Sequence, residues 1–292
     1  MKQHRDGATP GDWLRALPLY LLPHHALSRL VFRLTRIRQP AVKNALIRTF
    51  ARHFRIDWSE AAAARPEDYP DFNAFFTRAL REGARAPQGD ARCLTSPADG
   101  RVSQLGAITS GRLIQAKGRD YGLDELLGGP APASGFDRGH FLTVYLSPRD
   151  YHRVHMPADG RLLETRYIPG RLFSVAPHTT CAIPRLFARN ERLACLFETA
   201  HGPMALVLVG AIFVAAIETR WAGLVTPPHR RRMECRDYRD AGIRLARGEE
   251  MGRFNMGSTV IALFGNPDVA LEAGLQPGTP LKTGQIIARL PG

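Results

Sequence analysis

Four side chains in the sequence are of the types that transfer protons or attack carbonyl groups. Asp99 lies in SPADGRVSQLG, His152 and His155 lie in YLSPRDYHRVHMP, and Ser258 lies in RFNMGSTVIALF. In a nucleophilic triad an aspartate orients a histidine, which activates a serine hydroxyl, and the three residues meet in space without any fixed spacing along the chain. Asp99, His155 and Ser258 are therefore one candidate catalytic set.

The residue before Ser258 suggests what that serine attacks. No GxSxG motif surrounds Ser258, so the sharp turn that exposes a hydrolase nucleophile is not predicted. The Oγ atom of Ser258 can instead reach the carbonyl carbon of Gly257, because a glycine adds little steric cost to the strained backbone that this attack requires. A nucleophile tethered beside its electrophile has a high effective concentration. The alternative is an ordinary strand edge or bulge, in which the glycine only relieves the backbone.

The two histidines and the aspartate also allow a different chemistry. His152, His155 and Asp99 are residue types that bind zinc, which would make the protein a zinc-dependent hydrolase. The sequence has no HExxH or HxH motif that would supply a further ligand and a catalytic base. Its four cysteines lack the CxxC spacing of a zinc knuckle. The zinc hydrolase stays an alternative, and the favoured prediction contains no metal.

The N-terminal part of the chain is predicted to be helical and basic. Residues 1–60 contain eleven Lys or Arg and four Asp or Glu, so they carry +7 of the net charge of +13. Residues 26–38 have the spacing of an amphipathic helix, which lies in an anionic membrane interface or packs its apolar face on the protein. Nucleic acid is not a predicted partner, because no binding motif occurs in this region. The apolar face of the helix comprises Leu27, Leu30, Val31, Leu34 and Ile37, and its basic face comprises Arg29, Arg33 and Arg36.

The rest of the chain is predicted to be rich in β-strands. Short apolar runs separated by glycine and proline predict strands and turns, and the apolar run MALVLVGAIFVAAI is too short to span a bilayer and suits a buried strand. The repeated PADGR predicts two tight turns that each enter a strand. We therefore expect an α+β protein, with a helical domain at 1–86 and a β-rich catalytic domain at 87–292. The repeats resemble a duplicated barrel-sandwich, although the lysine tripeptides of its carrier proteins are absent.

Six segments together closely resemble one known family, the bacterial-type phosphatidylserine decarboxylases. The resemblance extends over most of the chain, from about residue 10 to its end, and one difference is Met256, where many relatives have the nearly isosteric leucine. The segments are FNMGSTVIALF, YLSPRDYHRVHMP, SPADGRVSQLG, GRLFSVAP, NERLACLFET and IETRWAGLVTPP, and the match also takes in DFNAFFTRALREGARAP. The resemblance implies a proenzyme that cleaves itself. Ser258 would attack the carbonyl of Gly257, His155 would take the proton, and Asp99 would orient and stabilise His155.

The same resemblance implies the reaction. Cleavage would leave a β chain (1–257) and an α chain (258–292) that begins with a pyruvoyl cofactor, held together as an α/β heterodimer, alone or as a dimer of heterodimers. The pyruvoyl carbonyl would condense with the amine of phosphatidylserine and accept electrons as carbon dioxide leaves, giving phosphatidylethanolamine. His152 would be the acid that protonates the product, and Ser174 would contact the head group.

The resemblance also gives the N-terminal helices a purpose. The substrate is an anionic lipid, so the basic amphipathic helix would hold the enzyme as a peripheral protein on the cytoplasmic side of the cell membrane. A non-catalytic peripheral lipid-binding protein would share this surface but would leave the chain uncut. Cleavage of the chain therefore separates the two hypotheses.

Overall fold

The computed structural model describes residues 8–116, 118–212, 216–255 and 258–291. Met256 and Gly257 lie outside these ranges, so the predicted cleavage site is described from Ser258 onward. Helices dominate the N-terminal part and strands the remainder, which confirms the predicted α+β class. The sheets of the described residues do not close into a barrel. No helix in these ranges is long and apolar enough to cross a bilayer. The division at residue 86 stays a prediction.

The described residues form eight α-helices, and those near the N-terminus begin where the sequence supplies caps. Thr9 and Asp12 form a capping box at α1, and the Asp71 side chain caps α4 by accepting a hydrogen bond from the Ala74 N–H. Helix α2 ends before the predicted residue 38. The helices are α1 (Pro10–Leu21), α2 (His24–Leu34), α3 (Pro40–Phe54), α4 (Phe72–Phe76), α5 (Leu123–Leu127), α6 (Pro130–Ala133), α7 (Pro177–Ala182) and α8 (Leu186–Arg189).

Helices α1 to α3 expose apolar side chains. Helix α2 buries His24 and Ser28 and exposes Leu30 and Leu34, so part of its predicted apolar face does not pack on the protein. Eight of the eleven large apolar side chains that are exposed in the described residues lie between residues 14 and 46. They are Leu14, Leu17, Leu21, Leu30, Leu34, Ile37, Val42 and Leu46. We call this set the apolar helix surface.

Eighteen strands are described, and half of them belong to a nine-stranded antiparallel sheet. Its order is β12-β7-β8-β9-β15-β5-β2-β17, with β13 also paired to β7, and a four-stranded sheet has the order β11-β10-β14-β6. The strands are β1 (Cys93–Thr95), β2 (Gly100–Ala107), β3 (Arg112–Ala116), β4 (Arg119–Gly122), β5 (His140–Leu146), β6 (Arg153–His155), β7 (Gly160–Ile168), β8 (Arg192–Thr199), β9 (Gly202–Val209), β10 (Ile217–Thr219), β11 (Gly223–Leu224), β12 (Glu234–Asp237), β13 (Arg244–Leu245), β14 (Glu250–Phe254), β15 (Ser258–Phe264), β16 (Ala270–Leu271), β17 (Pro280–Leu281) and β18 (Ile286–Arg289).

The most apolar segments occupy the centre of the large sheet. All seven residues of β15 are buried between β9 and β5, as the run STVIALF predicts. The run MALVLVGAIFVAAI is not one strand, because β9 ends at Val209 and Gly210 follows it. The two PADGR turns lead into β2 and β7 as predicted. Gly100 is required in the first turn, since a Cβ atom there would lie 2.3 Å from the Tyr145 carbonyl oxygen.

Candidate active site

The two sheets meet at the segment that contains the predicted cleavage bond. Strand β14 ends at Phe254 in the four-stranded sheet, and β15 begins at Ser258 in the nine-stranded sheet. The chain that pairs with these two strands passes between the same two sheets. Strand β5, which pairs with β15, ends at Leu146 opposite Ser258, and strand β6, which pairs with β14, begins at Arg153. The Phe254 N–H donates to the His152 carbonyl oxygen at 3.0 Å. The connection between β5 and β6 therefore lies beside the end of β14.

Ser258 presents a hydroxyl without a hydrogen-bond partner. Its side chain is 1% exposed, and Oγ has no partner among the described residues. Unpartnered hydroxyl groups are costly inside a protein, so such a group needs a partner from water, a ligand or the reaction. Ser258 lines a cavity of about 460 Å³, which we call the apolar cavity.

The apolar cavity lies between the N-terminal helices and the large sheet. Leu19 of α1, Phe50 and Phe54 of α3, and Phe76 of α4 form one side of its wall. Ser174 lines the same cavity, so the structure brings together the predicted nucleophile and the predicted head-group contact. Further lining comes from Arg15, Tyr145, Leu146, Pro148, Val175, Ala176, His178, Ala211 and Ile212. A mostly apolar wall with a few polar groups is typical of a small-molecule or lipid site.

His152 lies next to this cavity and is neutral. Its ring packs on Phe76 with a centroid distance of 4.0 Å, and the Nδ1–H donates to the Asp150 carbonyl oxygen at 2.7 Å. The other ring nitrogen, Nε2, is buried and has no partner among the described residues. Burial, and then the charge of Arg78, lower the pKa of His152 to about 3. At neutral pH the ring therefore offers a lone pair on Nε2 and not a proton.

Asp99 lies in a different environment, a second cavity of about 210 Å³ lined by charged side chains, which we call the charged cavity. Arg85 donates to both carboxylate oxygens of Asp99, at 2.9 and 2.6 Å, and the Thr283 N–H donates at 2.8 Å. Burial alone would raise the pKa of Asp99, but Arg85 and the Thr283 N–H outweigh burial and hold the pKa below its usual value. The aspartate is thus a buried carboxylate with a fixed orientation.

His155 is held in one tautomer by two contacts. The Nδ1–H donates to the Gly248 carbonyl oxygen at 2.8 Å, so Nε2 carries the lone pair and accepts from the Tyr151 hydroxyl at 2.9 Å. Burial lowers the pKa of His155, whereas the nearby charges of Glu250 and Asp99 act in the opposite direction. His155 is therefore a neutral base with an accessible lone-pair nitrogen once Tyr151 moves away.

The structure places the three triad candidates in one region but does not link them by hydrogen bonds. The backbone N–H of His155 donates to the carbonyl oxygen of Pro97, two residues before Asp99, so His155 and Asp99 are neighbours. Within the described residues no hydrogen bond joins Asp99 to His155 or His155 to Ser258. Ser258 faces the apolar cavity, and Asp99 and Tyr151 face the charged cavity.

The residues of the zinc hypothesis do not form a ligand cluster. The Nδ1 atoms of His152 and His155 are occupied by carbonyl oxygens, and Asp99 is paired with Arg85. Among the described residues, the group of side chains close enough to hold a metal is His25, Glu191 and His229. There, the His229 Nδ1–H donates to the Glu191 carboxylate at 2.8 Å. The structure therefore does not favour a zinc hydrolase built on His152, His155 and Asp99.

Sequence reasoning missed several residues that shape this region. Tyr151 caps His155, Arg85 pairs with Asp99, and Phe76, in the wall of the apolar cavity, packs on the His152 ring. Asn73 of α4 donates to the Asn255 side chain at 2.8 Å and so ties a helix to the segment before the predicted cleavage bond. Tyr151 adjoins His152 in the histidine motif, and the other three residues lie in DFNAFFTRALREGARAP, but neither segment indicates these contacts.

Comparisons with known proteins identify the family of the chain. A family model described as phosphatidylserine decarboxylase matches residues 72–289, and a second model described as PSD matches residues 14–55. The chain is 55% identical over 266 residues to the phosphatidylserine decarboxylase proenzyme of Methylococcus capsulatus, which covers 91% of this chain and 92% of the relative. The proenzyme of Azotobacter vinelandii is 53% identical and covers 95% and 98% of the two chains. That of Pseudomonas paraeruginosa is 54% identical and covers 92% and 94%. The chain therefore belongs to the phosphatidylserine decarboxylase family.

Proposed function

We propose that the protein decarboxylates phosphatidylserine to phosphatidylethanolamine after cutting its own chain before Ser258. The observation that supports this most strongly is the buried hydroxyl of Ser258, which lines a largely apolar cavity and has no hydrogen-bond partner among the described residues. The proenzyme names of the similar proteins point in the same direction. A pyruvoyl group made from Ser258 would supply an electron sink for the loss of carbon dioxide. Ser258 at the wall of a cavity of about 460 Å³ suits that group, because a substrate can reach it there.

In the first step of the proposed self-cleavage, Ser258 Oγ bonds to the carbonyl carbon of Gly257, the bond from that carbon to the Ser258 nitrogen breaks, and the nitrogen gains a proton, which leaves an ester. In the second step the Ser258 α-proton is removed, the Cβ–Oγ bond breaks, and Gly257 leaves as a carboxylate. Water then hydrolyses the resulting dehydroalanine to the pyruvoyl group and ammonia. His155 accepts the hydroxyl proton at Nε2, the nitrogen that its Nδ1 contact leaves unprotonated. Tyr151 must first release Nε2. The Asp99 carboxylate then stabilises the protonated ring through its negative charge, since Asp99 acts to raise the pKa of His155.

The apolar cavity has the composition expected of a site for a phospholipid. Its phenylalanine and aliphatic walls suit the glyceryl and acyl parts, and Ser174 offers a hydroxyl to the head group. His152 is the proposed proton donor to the product carbon. Because its pKa is about 3 in this form, His152 must gain a proton when substrate binds, and a substrate carboxylate close to Nε2 would favour the protonated ring.

Two chains made in this way would stay associated. Strand β15, the first strand of the proposed α chain, pairs along its length with β5 and β9 of the proposed β chain. An α/β heterodimer can therefore retain the fold after the cut.

The test of the proposed function is intact mass spectrometry of the expressed protein together with release of carbon dioxide from phosphatidylserine. We expect two fragments that meet between residues 257 and 258, the smaller of which reacts with borohydride at its N-terminal carbonyl. A non-catalytic lipid-binding protein would stay one chain and release no carbon dioxide. An active preparation that consists of a single uncut chain would contradict the proposal.

We further propose that the apolar helix surface docks the protein on the cytoplasmic leaflet of the cell membrane. Leu30 is 54% exposed and Leu34 is 48% exposed, on a helix that also exposes Arg29 and Arg33. Apolar groups that enter the acyl boundary beside arginines that face anionic head groups are the usual means of interfacial binding.

Replacing Leu30 and Leu34 together by glutamate tests this docking. Vesicle binding should fall by more than about tenfold, because each buried leucine contributes roughly 1.5–3 kcal/mol. Ile114→Glu is the matched control, since Ile114 is 50% exposed but lies on β3, outside the helices. Cosedimentation with vesicles that contain phosphatidylserine measures the effect. Unchanged binding of the double variant would remove the helices from the docking surface.

A further inference from the structure

The charged cavity beside Asp99 contains more positive than negative side chains. It is lined by six cationic side chains and four carboxylates, which leaves a formal surplus of two positive charges. The cationic residues are Arg55, Arg78, Arg85, Arg101, Arg149 and Lys282, and the acidic ones are Asp57, Glu60, Asp99 and Asp150. The lining of the apolar cavity, by comparison, contains two basic side chains, Arg15 and His178, and no carboxylate. The charged cavity is thus a separate, strongly polar space.

The carboxylates of this cavity already have partners within the protein. Arg85 bridges Asp99 and Glu60, with Nη2 at 2.6 and 2.8 Å from their oxygens. Asp150 accepts from the N–H and the hydroxyl of Ser147, at 2.7 and 2.6 Å. Asp57 accepts from the Ser59 N–H at 2.8 Å. Asp150 also lies 3.9 Å from Nε of Arg149, and in the described part of the chain none of the four carboxylates lies within ion-pair distance of Arg78.

Arg78 is the buried arginine of the charged cavity that has no counter-ion among the described residues. The residue is 5% exposed, and no carboxylate of the described residues lies within ion-pair distance of its guanidinium. Nη2 donates only to the Arg149 carbonyl oxygen at 3.3 Å, and Nε has no partner in the described part of the chain. Burial accordingly lowers the pKa of Arg78. An unpaired buried charge is costly, so its presence at a cavity wall indicates an anion that completes the pair.

We propose that the charged cavity binds a phosphoryl anion, with Arg78 as its buried partner and Arg101 and Arg149 at its exposed rim. A guanidinium presents several N–H donors in a plane and matches the oxygens of a phosphoryl group. The volume of about 210 Å³ is several times that of one water molecule and accommodates such a group. Neither family membership nor decarboxylation is needed for this inference.

Two sources can supply the phosphoryl group, a phospholipid head group and free phosphate. Arg55, at the end of α3, lines the charged cavity, and α3 also carries the exposed Val42 and Leu46 of the apolar helix surface. Helix α3 therefore connects the charged cavity to the surface that we propose to face the membrane. A lipid head group at that surface is one source of the anion, and free phosphate in solution is the other.

Two binding measurements on the protein as purified test the inference. Inorganic phosphate is titrated calorimetrically at constant ionic strength, with chloride as the replaced anion. Vesicles of phosphatidylcholine with phosphatidylglycerol are titrated by cosedimentation in phosphate-free buffer. Arg78→Met should weaken binding by about tenfold or more, because hydrogen bonds to charged groups contribute roughly 1.5–3 kcal/mol. Arg112→Met is the matched control, because Arg112 is exposed and pairs with Asp120 away from the cavity.

The outcomes assign the source or overturn the inference. Loss of phosphate affinity in Arg78→Met identifies free phosphate, and loss of vesicle affinity alone identifies a lipid head group. Should Arg78→Met fail to fold, Arg101→Met and Arg149→Met at the rim replace it, each with an expected loss of severalfold. Equal binding by wild type and all cavity variants overturns the inference. A Ser258→Ala protein, which cannot form a pyruvoyl group, should bind as wild type does, so failure of the proposed function would leave this result unaffected.

Discussion

The apolar and charged cavities share three chain segments but have opposite chemistry. At the end of α3, around α4 and after β5, each segment gives an apolar side chain to one cavity and an arginine to the other. The pairs are Phe54 and Arg55, Phe76 and Arg78, and Leu146 and Arg149. Ser258 lies on the apolar side, and Asp99 lies on the charged side. Side chains at neighbouring positions in the chain thus form two different environments, one for the proposed nucleophile Ser258 and one for Asp99, whose charge supports the proposed base.

This separation has a physical consequence for each group. An oxygen in an apolar cavity is poorly solvated, so the charge that develops on it interacts strongly with any nearby donor. A carboxylate such as Asp99, in contrast, stays ionised only where arginine and N–H groups compensate its burial. A single cavity that held both Ser258 and Asp99 would have to be apolar around one group and rich in charged donors around the other.

The largest expected effect comes from the apolar side. Ser258→Ala removes the only atom that we propose to attack the 257–258 bond, so self-cleavage and decarboxylation should both be lost. Ser174→Ala is the matched control, because Ser174 lines the same cavity but is not the proposed nucleophile. The Ser174 variant should be cut normally and show a raised KM. Intact mass spectrometry and carbon dioxide release measure the two variants, and a cut Ser258→Ala chain would exclude the serine as nucleophile.

On the charged side, Asp99→Asn should destabilise the protein by about 3 kcal/mol, because it leaves the buried Arg85 with one partner instead of two. The folded pKa of Asp99 is lowered, so its contribution to stability is present above the ordinary aspartate pKa and is lost as pH falls through the lower folded value. Asp159→Asn, in the other PADGR turn, is the control and should cost about 1 kcal/mol or less, because Asp159 is exposed. Urea unfolding at pH 7 measures both, and equal losses would contradict the role of burial.

The two PADGR turns also show where prediction from sequence ends. Both enter strands as their residue types predict, yet Asp99 is buried against Arg85 and Asp159 is exposed and accepts from the Arg247 N–H. Turn chemistry is local and can be predicted from five residues. Burial depends on partners far along the chain, such as Thr283 for Asp99, and no spacing rule reveals them.

The same limit applies to the candidate site. The helix cap at Asp71 and the buried strand β15 follow from local patterns. That Ser258 and Ser174 share a cavity depends on the order of strands in the sheet and on helices packed against it. The sequence therefore supplied the reactive residue types, and the structure shows that they are divided between two environments.

His152 lies between these environments and gives a pH-dependent prediction. Its folded pKa of about 3 is below the unfolded value of 6.5, so the stability from its neutral form is complete above pH 6.5 and is lost as pH falls toward 3. At pH 5 the loss should be about 2 kcal/mol. His152→Asn should lack this loss, and the exposed His53→Asn should retain it. Urea unfolding at pH 7 and pH 5 measures the difference, and identical pH dependence in the three proteins would show that His152 is not held neutral.

The smallest expected effect concerns the contact that keeps the base on the charged side. The Tyr151 hydroxyl occupies the lone pair of His155 Nε2, and Tyr151 lines the charged cavity and not the one that Ser258 lines. Tyr151→Phe removes a hydrogen bond of about 1 kcal/mol that must break before the base can accept the serine proton. Self-cleavage should therefore accelerate by roughly fivefold at pH 7, in line with that energy. Time-resolved gel analysis of freshly translated chains measures the rate. Slower cleavage in this variant would contradict this role and mean that Tyr151 carries the proton between the two cavities. The proton of Ser258 would then reach His155 through the Tyr151 hydroxyl and not by movement of the histidine.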